Sequence, residues 1–114
     1  MSIQTITYEE FERVDLRSGT LVKVEDFPRA KKPAFKIWAD FGDEIGILQT
    51  SAQVTVNYTH DSLIGKQVVG CVNLGEKNIA GFLSQFLLVG FADEKDSICL
   101  VTVDTKVPNG RKLC

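Results

Sequence analysis

Two places in this 114-residue sequence hold residues able to act on a ligand. The first is the stretch from Asn73 to Gln85, NLGEKNIAGFLSQ, which sets two glycines, two asparagines and one lysine between two apolar runs. A connection rich in glycine and amide can present backbone N–H groups and a cation to a phosphate; it can equally serve to turn the chain. Asn73, Lys77, Ser84 and Gln85 bracket the stretch with neutral donors and acceptors and that one cation. Phe82 and Leu83 are adjacent, so on a strand they face opposite ways and one of them points outward unless covered. The second place is Lys36-Ile37-Trp38. Trp38 is the only tryptophan, a ring suited to stack a base or cradle an apolar peptide side chain, with Lys36 two residues away. Burial of Trp38 under a loop or at a dimer seam has equal weight, since large aromatics are seldom left wholly exposed.

Nothing in the sequence points to catalysis or a cofactor. His60 stands alone beside Asp61, without the second His, Cys or carboxylate that a metal site or an acid–base pair requires. No Ser-His-Asp order, phosphate-binding P-loop or GxGxxG occurs. Cys71, Cys99 and Cys114 are odd in number and widely spaced, forming neither a disulfide framework nor a zinc motif. The net charge of −2 argues against a surface built entirely for nucleic acid. A local basic patch from Lys31, Lys32, Lys36, Lys77, Arg111 and Lys112 is compatible with it.

These residues need a scaffold, and the length suits one domain spanning 1–114 that buries roughly two-thirds of its unfolded surface. No apolar run approaches the ~20 residues of a membrane-spanning helix, and the N-terminus lacks the basic and apolar regions of a signal peptide. A cytoplasmic protein without membrane insertion is the expectation. Thr7-Tyr8-Glu9-Glu10 reads as a capping box opening a short helix to about Arg13, with Ile6 and Phe11 at the staple positions. Thr20–Glu25 is the first expected strand. Phe35–Phe41 is the second and alternates cleanly: Phe35, Ile37, Ala39 and Phe41 face one side, Lys36, Trp38 and Asp40 the other. A turn at Gly42–Glu44 leads to a third strand over Ile45–Thr50.

Thr50 or Ser51 is placed to cap a brief helix through Asn57, and Gly65 suits a left-handed stop after Asp61–Ile64. Strands are then expected over Gln67–Leu74, Ser84–Gly90 and Ile98–Val103, with a closing turn at Val107–Gly110. Five or six strands with a helix between the third and fourth describe an all-β, OB-fold five-stranded barrel with short helices. Arg17 is open to ligand contact, but an arginine near the start of a strand is more often tied to a carboxylate, such as Asp15 or one across a dimer.

Several segments in order resemble one family: Val14–Val22, Phe27–Ala30, Lys36-Ile37 with Asp40–Gly42, Gln49–Thr55, Leu63–Val68, Val72–Leu74, Ile79–Ser84 and Val107–Leu113. Together they resemble the tRNA-binding-domain family, in its CsaA-type export-related chaperone branch, over nearly the whole chain. The resemblance implies an OB-fold homodimer without catalytic activity or cofactor. Its partners would be unfolded or precursor polypeptides and the secretion machinery, with tRNA or structured-RNA binding, weak for tRNA, as the alternative. The sequence departs from the family at Gly75-Glu76-Lys77-Asn78, where relatives commonly carry prolines and basic residues, and at Leu83, where a lysine is common in that branch. Charge is exchanged there for neutral and apolar groups, which favours peptide over phosphate as ligand.

The ligand-binding candidates, for peptide or RNA, are therefore Lys36, Trp38, Asn73, Lys77, Phe82, Leu83, Ser84 and Gln85. The N-terminal helix and the segment after Gly90 are additions to a minimal barrel. Their apolar residues Phe11, Val14, Phe91, Ile98 and Leu100 are the expected dimer interface.

Overall fold

The structure, a computed structural model, describes residues 2–114. Five antiparallel strands form the main sheet: β1 (Leu16–Asp26), β2 (Phe35–Asp40), β3 (Ile47–Ala52), β4 (Gln67–Cys71) and β7 (Leu87–Leu88), in the order β3-β2-β1-β4-β7. Two hairpins, β5 (Lys77–Ile79) with β6 (Phe82–Ser84) and β8 (Gly90–Ala92) with β9 (Ile98–Leu100), complete the strands. The helices are single turns or little more: α1 (Tyr8–Glu12), α2 (Gly42–Ile45) and α3 (His60–Leu63). None is long and apolar enough to cross a membrane.

The sheet curls because β1 serves two partners. Its first half, Leu16–Thr20, pairs with β4, and its second, Thr20–Asp26, pairs with β2, with a bulge between Leu21 and Lys23 that bends the strand. The edges then meet, since Gln85 N–H donates to the Gln49 carbonyl at 2.8 Å and the buried Thr50 hydroxyl donates to the Phe86 carbonyl at 2.6 Å. The result is a nearly closed five-stranded barrel of the OB type. Phe41, Leu21, Ile37, Leu63, Val54 and Val68 fill it. Phe41 meets Phe86 edge to face at 5.0 Å, and the glycines of two neighbouring strands make room: a Cβ on Gly19 or Gly70 would lie 2.8 or 2.6 Å from the Phe41 ring.

The C-terminal tail is held against β1. Ser18 and Arg111 bond through their backbones, as do Gly110 and Ser18, and Leu113 and Leu16. Arg17 bonds to Asp15 at 2.6 Å and donates to the Gly110 carbonyl at 3.0 Å. That hydrogen bond from Arg17 holds the Asp15 carboxyl below its ordinary range.

Several local expectations need correction. The helix after the third strand lies at His60–Leu63, not before Asn57, because the Thr59 side chain and Ser62 form its capping box. Val54, Thr55 and Val56 are β-branched and poor helix formers, and Val54 is drawn into the core. The turn at Gly42 is a short helix, which delays the third strand to Ile47. The expected strand over Ser84–Gly90 is broken into β6, β7 and β8, the fourth strand ends at Cys71, and the last at Leu100. The stretch between the apolar runs is itself a hairpin. Ala80 and Gly81 both take positive φ, 49° and 86°, as a two-residue primed turn demands.

Gly110 combines a φ of 85° with a position where a Cβ would sit 2.5 Å from the Phe41 carbonyl oxygen. Gly110→Ala is expected to cost about 1–3 kcal/mol by urea unfolding; an unchanged midpoint would show that the tail does not bear on the barrel. Acid should loosen the same tail. A carboxyl whose folded pKa is depressed stabilises the fold above its unfolded value, about 3.9, and that contribution is lost as pH falls through the folded pKa. Amide exchange at Gly110 and Leu113 should therefore accelerate below about pH 4 relative to Leu21, and Asp15→Asn should remove that pH dependence.

Candidate functional site

Strand alternation puts Lys36 and Trp38 on the outward face of β2, half-buried between the inward Phe35, Ile37 and Ala39. In register beside them on β3 stand Ser51 and Gln49. These two anchor the β5–β6 hairpin: Ser51 N–H donates to the Ser84 hydroxyl at 3.1 Å, and the Gln49 amide donates to the Leu83 carbonyl at 2.9 Å. The hairpin is thereby laid across β3, and Phe82 arrives over β2.

A ladder of three aromatic rings results. Phe82 meets Trp38 edge to face at 5.8 Å and Phe27, at the end of β1, at 5.6 Å. Lys36 Nζ stands 5.1 Å from the Phe27 centroid and 5.2 Å from that of Phe82. Lys23 Nζ stands 4.6 Å from the Trp38 ring while pairing with Glu25 at 3.2 Å. Both ammonium groups are within cation–π range, so they cover aromatic faces rather than project freely.

Beside the ladder runs a groove of about 920 Å³. Its lining is largely apolar, from Val54, Ile79, Leu87, Leu88 and Ile98, and Arg29, Lys31 and Lys32 of the β1–β2 loop stand at its rim. A second, more polar depression of about 850 Å³ lies between Thr20, Asp40, Gln67, Lys106 and Asn109.

The sequence candidates divide between these surroundings. Lys36, Trp38 and Phe82 come together in the ladder. Leu83 is exposed on the adjoining strand, and Lys77 is exposed opposite Ser84. The other three are engaged by hydrogen bonds to the protein itself, Asn73 at the surface. Asn73 accepts from Asp15 N–H at 3.0 Å and donates to the Arg13 carbonyl at 2.6 Å, tethering the end of α1. Ser84 is buried against Ser51, and the Gln85 side chain accepts from Gln49 N–H at 3.0 Å. Of the basic residues, Lys31 and Lys32 flank the groove, whereas Arg111 and Lys112 lie on the tail, with Lys112 donating to the Glu12 carbonyl at 2.8 Å.

Among the residues expected at a dimer seam, Val14 and Phe91 are exposed, the latter at 74%, and Phe11 is half-buried against Tyr8. Ile98 packs on the core and Leu100 belongs to it at 7% exposure. Leu100 is thus core, not free apolar surface. Sequence reading passed over Phe27 and Lys23 as parts of the face. Phe27 precedes Pro28 and reads as a strand break; its approach to Phe82 is made by the hairpin's placement.

One side of the barrel thus combines aromatic rings, lysine ammonium groups and an apolar groove. The chain belongs to the family described as "Putative tRNA binding domain", whose pattern matches residues 16–112. The solved chaperone CsaA of Bacillus anthracis is similar, at 39% identity and a TM-score of 0.90 over 97% of this chain and 100% of that one. CsaA of Picrophilus torridus is 40% identical with a TM-score of 0.90, over 96% and 100% of the two chains. A methionine–tRNA ligase of Methanocaldococcus jannaschii is 32% identical over 97% of this chain, which spans only 17% of that enzyme.

The ring contacts make a direct prediction. Phe82→Ala should expose Trp38, the sole tryptophan, and shift its fluorescence to the red. A double-mutant cycle of Trp38→Ala with Phe82→Ala should return a coupling of about 0.5–1.5 kcal/mol. Unchanged emission and no coupling would mean that the rings do not meet in solution.

Proposed function

We propose that this protein is a non-catalytic, homodimeric binding module that holds exposed apolar segments of unfolded or precursor polypeptides in connection with export. The observation that carries the reading is the apolar groove, lined by Val54, Ile79, Leu87 and Leu88, running beside the half-exposed Phe82 and the exposed Leu83. Apolar side chains seated there would gain about 25 cal/mol per Å² of area removed from water, before ordering costs, so binding is modest and tolerant of sequence. The similarity to two CsaA chaperones along their full length supports it. Dimerisation is supported by α1, which buries none of its residues, and by the exposure of Ile3, Ile6 and Val14 around it.

A second reading, tRNA binding, is favoured by the family match and by the pairing of lysines with aromatic rings. Salt separates the two. Capture of a neutral apolar client should change little as salt rises, whereas binding through several phosphates falls by orders of magnitude over a few-fold rise. Trp38→Ala, Phe82→Ala and Leu83→Ser should each weaken client capture. Failure to retain any client, or retention that collapses with salt and ignores all three changes, would pass the function to tRNA; Lys77→Glu should then weaken RNA binding regardless of sequence. Deleting residues 1–13 should yield a monomer or an aggregate by sedimentation, and a stable dimer after that deletion would place the interface elsewhere.

A further inference from the structure

The groove is apolar inside and basic at its rim, and that asymmetry bears on which segments it would take. Arg29, Lys31 and Lys32 are exposed at the rim, and Asp96 is the carboxylate that lines the same groove. The ion pairs among the described residues are Arg17–Asp15, Lys23–Glu25 and His60–Asp26. None of the three rim cations is neutralised by such a pair. Arg29 also stands near the turn of the β5–β6 hairpin, its guanidinium 3.9 Å from where a Cβ on Gly81 would stand. A locally positive rim on a chain of net charge −2 is a concentrated feature, not a reflection of overall composition.

Resting on the polypeptide reading above, we propose that the groove selects extended polypeptide segments in which apolar side chains are flanked by aspartate or glutamate. The apolar side chains occupy the floor along Ile79, Leu87 and Leu88, and the flanking carboxylates meet Arg29, Lys31 and Lys32. Complementary charge of this kind favours one partner and disfavours its opposite, because a lysine-flanked segment would bring like charges together at the rim. The rim cations are solvent-exposed, so the preference is graded and weakens as salt screens it.

The test uses three synthetic peptides with one apolar centre and flanks of glutamate, serine or lysine, titrated by fluorescence anisotropy against the full chain at low and high salt. The glutamate-flanked peptide should bind about tenfold tighter than the lysine-flanked one at low salt, with serine between them, and the ratio should shrink at high salt. Lys31→Glu with Lys32→Glu should invert the order. Lys106→Glu, at the separate polar depression, should leave it in place, showing that overall charge is not responsible. Equal binding of all three peptides would overturn the inference while leaving the polypeptide reading intact. Binding of none would remove both. Loss of tRNA binding in the double variant, with no peptide bound by the wild type, would assign the rim to RNA and also overturn the proposal.

Discussion

The barrel is organised around one aromatic side chain that two glycines allow into its centre. Phe41 is wholly buried against Phe86, and Gly19 on β1 and Gly70 on β4 lie so close to its ring that no side chain fits at either position. Packed interiors tolerate little rearrangement, so the ring sets how closely those two strands can approach it. The carbonyl of Phe41 in turn lies against Gly110, so the same residue that fills the barrel also seats the C-terminal tail. Closure of the sheet and docking of the tail are therefore coupled through one position.

That closure builds the face that carries the rings and the groove. β2 and β3 run side by side, with Lys36 opposite Ser51 and Trp38 opposite Gln49. The polar partners on β3 fasten the β5–β6 hairpin, and the hairpin delivers Phe82 to the ring ladder and Ile79 to the groove. Polar residues fix the geometry while apolar and cationic ones are left facing outward. The serines and glutamines at this site act as fasteners.

How much of this could be read from the sequence depended on range. The period-two pattern of Phe35–Phe41 placed Lys36 and Trp38 on the outward side, and the Thr7–Glu10 box located α1, because both signals are local. Asp15, two residues away, was one of the partners open to Arg17, and the structure pairs the two. The roles of Ser84 and Gln85 were hidden, since their partners Ser51 and Gln49 lie 33 and 36 residues away and no local pattern records such a bond. The turn at Ala80-Gly81 was obscured by an alanine in a conformation usually taken by glycine or asparagine. Leu100 reads as spare apolar surface until β9 is seen to pack on the barrel.

In the proposed function, polypeptide is held between the hairpin and the groove floor. Amide hydrogen exchange of the full chain, with and without a saturating unfolded client, addresses it directly. Slowed exchange is expected to concentrate over residues 77–83 and 87–90, with the polar depression around Thr102–Asn109 unaffected. Protection confined to that depression, or absent from the hairpin and the groove while the client is bound, would contradict it.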